Sequence, residues 1–128
     1  MRPLSLMVIP LSLSSAVFAA DNACPSASGI ARTECLEKTL IISEGELKRS
    51  FAQSIAGINS KDYDYVPKPE RDKWKVASER AQSAWMAYRD TQCKAVLPYL
   101  WWGGSGAGGA SLECLLSKTQ SRIKELTN

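Results

Sequence analysis

Four cysteines and no histidine in a chain of 128 residues restrict this fold more than any other feature. Cys24, Cys35, Cys93 and Cys114 are even in number, and in a small exported domain such a set reads as a disulfide framework. Metal binding would need histidine or cysteine pairs at the spacing of a zinc knuckle, and the chain has neither. No metal or other cofactor is expected. Three pairings are open to four cysteines. Joining Cys24 to Cys35 and Cys93 to Cys114 closes two local loops, and each bridge would stabilise the fold by roughly 3 kcal/mol by restricting the unfolded chain.

The disulfide reading requires export, and the N-terminus supplies it. Arg2 gives a short positive region, Leu4 to Leu13 an apolar stretch interrupted by Pro10, and Ser14 to Ala20 the small residues of a processing site. Val17 and Ala19 fit three and one before a cut, which places cleavage after Ala19 and a signal peptide at 1–19. The apolar stretch is too short for a transmembrane helix. The site carries no cysteine for lipid attachment, so the mature protein is expected in the periplasm or outside the cell without a membrane anchor. The 128-residue chain less those 19 leaves 109 residues, 20–128, enough for one domain with a modest core. Without Arg2, 15 Lys and Arg face 13 Asp and Glu, a net of +2. No basic stripe stands out, so neither nucleic acid nor a membrane surface is indicated as a partner.

The patterning is helical throughout. From Ile30 to Ile58, Leu36, Leu40, Leu47, Phe51 and Ile58 repeat at three-to-four spacing, one stripe of an amphipathic helix. Glu34–Lys38 and Glu44–Lys48 stand as i,i+4 pairs in the favourable order. Thr33 or Ser28 suits the start and Gly57 the stop. A polar connection bearing Tyr63 and Tyr65 follows. Pro69 fits the first position of a second helix, with Glu70 and Asp72 where the dipole favours acids. Trp74, Ala77, Ala81, Ala84, Trp85 and Tyr88 make its expected apolar stripe, and Pro98 its expected end. Leu100 to Ala110 holds five glycines in eleven residues, a poor helix. Ser111 is placed to cap a last helix whose face is Leu112, Leu115, Leu116, Thr119, Ile123 and Leu126. No segment alternates with period two. The expectation is an all-α, small three-helix domain stapled by two disulfides.

Gln82, Trp85, Tyr88, Arg89, Asp90 and Cys93 form the run Gln-x-x-Trp-x-x-Tyr-Arg-Asp-x-x-Cys. Cys24 and Cys35, with ten residues between them, stand before it; Gly104-Ser105, Cys114 and Arg122 come after it. In these features the chain resembles the LprI-like lysozyme-inhibitor family of small exported bacterial proteins, over nearly all the mature length. The resemblance implies a helical, disulfide-bonded binding protein that inhibits lysozyme or a related peptidoglycan-cleaving enzyme. The chain departs from the family in having no lipidation cysteine and in its tryptophan pair, Trp101-Trp102.

Three groups are candidates for function. Trp101, Trp102, Gly103, Gly104 and Ser105 set two large aromatics on a backbone that a partner can approach closely; one tryptophan is expected to fold back over the core. Asp62-Tyr63-Asp64-Tyr65 could dock a cationic partner through Tyr63 and Tyr65, or be a solvated connection. Trp85, Tyr88, Arg89 and Asp90 are read as scaffolding, with Tyr88 in the core and Arg89 paired to fix helix register. An enzyme is not expected, because there is no histidine, no phosphate loop and no metal cluster, and cysteines in disulfides cannot act as nucleophiles. The alternative to a lysozyme inhibitor is an immunity or accessory protein against another envelope-targeting toxin.

Overall fold

In the computed structural model of the protein, residues 23–25, 27–102 and 104–128 are described. The signal peptide expected at 1–19, with its cut after Ala19, and Gly103 lie outside the described residues.

Helix α1, Gly29–Gly57, starts beyond Ser28, which takes the extended N-cap conformation. Its Leu36, Leu40 and Leu47 are buried, as their spacing requires. A short 3-10 turn, Lys61–Tyr63, leads into α2, Lys68–Asp90, with proline at its first positions. Helix α3 is Ala107–Thr127. Its first turn therefore includes Gly108 and Gly109, four residues ahead of the cap expected at Ser111. The buried face on Leu115 and Leu116 holds that turn in place despite its low helix propensity.

Three side-chain pairings set the directions of the helices. Arg32 of α1 meets Glu113 of α3, both near their starts, so α1 and α3 run parallel. Arg89 of α2 meets Glu44 of α1, and Arg122 of α3 meets Gln82, so α2 runs antiparallel to both. Helices α1 and α3 pack most closely. The core is Leu36, Leu40, Leu115 and Leu116 with Cys24 and Cys93, all at the end where α1 and α3 begin.

Both expected disulfides are present: Cys24–Cys35, with Cα atoms 6.1 Å apart, and Cys93–Cys114, at 5.5 Å. The second bridge explains two departures from the sequence expectation. First, α2 does not run on to Pro98. It widens into a π-helical turn at Thr91–Val96, which holds Cys93 in the core, and tightens to a 3-10 turn at Leu97–Trp101 with Pro98 in its first positions. Second, α2 is rotated from the expected phase. Cys93 must face Cys114, and the residues four, eight and eleven before it on the helix, Arg89, Trp85 and Gln82, share that face. Gln82 and Arg89 are the buried residues of α2, while Tyr88, expected in the core, is 56% exposed. Trp74 of the expected apolar stripe is exposed too, along with Ala77, Ala81 and Ala84.

Candidate functional site

At the end of the molecule where α2 hands over to α3, the 3-10 turn presents a run of large side chains to solvent. Tyr99 is 74% exposed, Leu100 80% and Trp102 85%. Trp102 has φ of +40°, the left-handed region. That region is costly for a bulky residue and persists only where the surroundings enforce it. Trp101 turns the other way. Its ring lies across Gly106, so close that a Cβ there would stand 2.4 Å from the ring. The Gly104 amide donates to the Trp101 carbonyl at 2.8 Å and closes the turn. Trp101 lies against Gly106 yet stays 46% exposed, against 85% for Trp102, so neither ring covers the core, contrary to the sequence expectation for one of them. Beside them an open groove of about 580 Å³ runs between Trp101, Ser105 and the first turns of α1 and α3. The ion pair from Arg32 Nη2 to Glu113 Oε1 at 2.6 Å lies on this groove, and Arg32 Nη1 also donates to the Cys24 carbonyl at 3.0 Å.

The close seat of Trp101 gives a direct expectation. In Gly106→Ala the added methyl cannot coexist with the ring, so Trp101 must swing out. Its fluorescence should shift to the red while the helical circular dichroism stays unchanged; unaltered fluorescence would show that the ring does not sit there.

Tyr63 and Tyr65 lie at the far end of α1, a helix of 29 residues and so about 43 Å long. Tyr63 meets Trp74 edge-on, with ring centroids 4.9 Å apart, and Tyr65 is exposed. Arg71 pairs with Asp64 at 3.3 Å, which anchors the connection to α2. The two loop regions singled out from sequence are thus not one surface. They sit at opposite ends.

The Trp-x-x-Tyr-Arg-Asp run builds the joint between the three helices. Arg89 is 3% exposed. Its Nη1 donates to Thr119 Oγ1 of α3 at 2.9 Å and faces Glu44 Oε1 of α1 at 3.2 Å, where the sequence had set Glu44 against Lys48. Its Nε and Nη2 reach Asp90 Oδ1 at 2.9 and 2.8 Å. The Trp85 ring has the Arg89 guanidinium 5.5 Å from its centroid and that of Arg122 at 5.8 Å, a double cation–π arrangement. Burial pushes the Asp90 carboxyl up, but hydrogen bonds from Lys94 and Arg89 outweigh it and hold it below the ordinary carboxylate value. Tyr88 points outward, with Lys118 Nζ 4.7 Å above its ring.

Sequence reasoning did not single out Tyr99 and Leu100. Their signal is the run Leu97-Pro98-Tyr99-Leu100-Trp101-Trp102, too apolar for a surface turn and too short, after a proline, for a core helix.

A model of the family described as "Lysozyme inhibitor LprI" matches residues 20–126. No curated protein and no solved structure gave a match.

Proposed function

The chain belongs to the LprI lysozyme-inhibitor family, and from that premise we propose that it is an exported, periplasmic inhibitor that meets a lysozyme or related peptidoglycan-cleaving enzyme through its aromatic end. The partner is then a protein, and this chain's part is binding rather than catalysis. The observation that carries the reading is the exposed run Tyr99, Leu100 and Trp102, held out by a backbone in the left-handed region at Trp102. Large aromatics supply much of the affinity at interfaces, and an exposed apolar cluster marks an interaction site more often than a lone apolar residue does. Apolar contact is also what a domain of net +2 has to rely on, because it is not steered electrostatically toward a cationic enzyme. Trp102, Gly103, Gly104 and Ser105 would enter the substrate cleft, with Trp101 as their base. Export is supported by the leader read at 1–19 and by two disulfides. No described helix is long and apolar enough to cross a membrane.

The test is a cell-wall turbidity assay with the oxidised chain against chicken-type and goose-type lysozymes. Inhibition of at least one is expected. Trp102→Ala should weaken it at least about tenfold, as loss of an interface anchor does, without changing thermal stability. Tyr65→Ala, at the other end, should leave it intact. The assignment of the aromatic end fails if Trp102→Ala inhibits as well as the parent chain. If neither lysozyme is inhibited, the partner is another envelope-targeting enzyme or toxin.

A further inference from the structure

The groove of about 580 Å³ beside Trp101 carries three charged side chains, Arg32, Glu34 and Glu113. Arg32 is spent within the fold. Its Nε and Nη2 donate to Glu113 Oε1 at 3.2 and 2.6 Å, and its Nη1 donates to the Cys24 carbonyl at 3.0 Å. Both bonds to Glu113 therefore land on one oxygen. The other, Oε2, accepts no hydrogen bond among the described residues, and the side chain is 33% exposed. Glu34 is exposed and makes no ion pair among the described residues. What the groove offers an incoming group is negative charge, beside a Trp101 ring that keeps half its surface open.

The starts of α1 and α3 favour anions, but that field falls off within the first turn. Glu113 is six positions beyond Ala107, about 9 Å along α3, and so lies past it. An anion here would meet two carboxylates. A cation would meet acceptors and the face of an indole, and a planar guanidinium suits that pair best, because it stacks on the ring while it donates in its own plane. The groove is also continuous with the aromatic end: Trp101 lines it and closes the 3-10 turn that displays Tyr99 and Leu100. A net charge of +2 gives no steering from a distance, whereas an unpaired carboxylate acts on contact and selects for complementary charge.

We infer that the groove takes an arginine side chain of the partner protein. The guanidinium lies on the Trp101 ring and donates to Glu113 Oε2, and Glu34 adds to the attraction. The inference rests on the proposed reading of the aromatic end and supplies the charged half of that contact.

The experiment is an NMR titration of the oxidised chain with N-acetylarginine amide, and separately with N-acetylcitrulline amide, which has nearly the same shape without the charge. Saturable shifts are expected at residues 29–34 and 105–113, with the citrulline compound at least about fivefold weaker, the margin of a charge-assisted over a neutral hydrogen bond. Glu113→Gln keeps an oxygen for Arg32 and removes the charge; it should weaken the arginine compound by a similar factor. Gly109→Leu leaves every charge in place. A Cβ at Gly109 meets nothing within 4 Å, so the larger side chain enters the groove and should abolish the shifts. Trp102→Ala should change nothing in this titration, which separates it from the test of the aromatic end. In the turbidity assay, Glu113→Gln should weaken inhibition at least about fivefold. The inference is overturned if no saturable shift appears, if citrulline binds like arginine, if Gly109→Leu binds like the parent, or if Glu113→Gln inhibits a lysozyme as well as the parent does. Arginine shifts as described, with neither lysozyme inhibited, would support the groove's chemistry while the proposed function failed.

Discussion

Replacing the Cys93–Cys114 bridge, as Cys93→Ala with Cys114→Ala, is expected to lower the stability of the protein by about 3 kcal/mol. The bridge spans 21 positions. Releasing a loop of that length returns about 11 cal/mol/K of entropy to the unfolded chain, or about 3.4 kcal/mol at 25 °C. For a domain near 100 residues that is a fall in melting temperature of roughly 10–20 °C. Burial adds to it, because Cys93 is wholly enclosed in the leucine core and its sulfur is lost as packing volume. Thermal melts of the oxidised parent and the double variant measure the effect directly. A fall of only two or three degrees would show that the π-helical turn and the start of α3 hold together without the bridge. The same variant should lose definition at Trp101 and Trp102, since the turn that displays them lies inside the loop the bridge closes.

Arg89→Ala is the second large effect, expected to cost about 2–4 kcal/mol. The cost falls on the buried side of the network, because Glu44 and Asp90 stay 46% and 40% exposed and can be solvated whereas Thr119 cannot. Here Thr119, itself fully buried, loses its donor, and a gap opens beside Trp85. Arg89→Lys should recover little. A single ammonium cannot reach Thr119, Glu44 and Asp90 at the angles of a planar fork. Chemical denaturation of the parent and both variants separates these outcomes; a lysine variant as stable as the parent would mean that charge alone, not the fork, is needed. There is a pH signature as well. A carboxyl held below its ordinary value, near 3.9 when unfolded, stabilises the fold above that pH, and the contribution is lost as pH falls through the folded value. Part of the acid sensitivity of the parent should therefore be missing in Arg89→Ala.

How much of this was legible in the sequence depended on which force decided each element. The faces of α1 and α3 were legible because leucines at helical spacing have one low-energy place to go: Leu36, Leu40, Leu115 and Leu116 are buried as their periodicity requires. The disulfide pairs were legible as local loops. Helix α2 was misread because its inward face is polar. Gln82 and Arg89 face inward because a covalent bond at Cys93 sets the phase of the helix, and an alanine-rich stripe is too weakly hydrophobic to compete with that bond. Counting back from Cys93 in steps of four and three would have found Arg89, Trp85 and Gln82. The tryptophan pair was noticed for its composition, but the left-handed backbone that holds Trp102 out and the close approach of Gly106 to Trp101 depend on tertiary contacts. The separation of Tyr63 and Tyr65 from the tryptophans follows from helix length alone, once the antiparallel course of α2 is known.

The two disulfides close loops that do not overlap: one lies wholly before residue 36 and the other wholly after residue 92. Covalently, then, the protein is two independent hoops on one string. A single cut in the connection between α1 and α2 would leave two oxidised pieces with no covalent bond between them, held together by non-covalent contacts such as the leucine seam of α1 with α3 and the ion pairs Arg32–Glu113 and Arg89–Glu44. Assembly gains from the same arrangement. Each bridge joins neighbours in the chain, so the first can form while the rest of the polypeptide is still emerging, and oxidation in chain order leads to the native pairing without reshuffling.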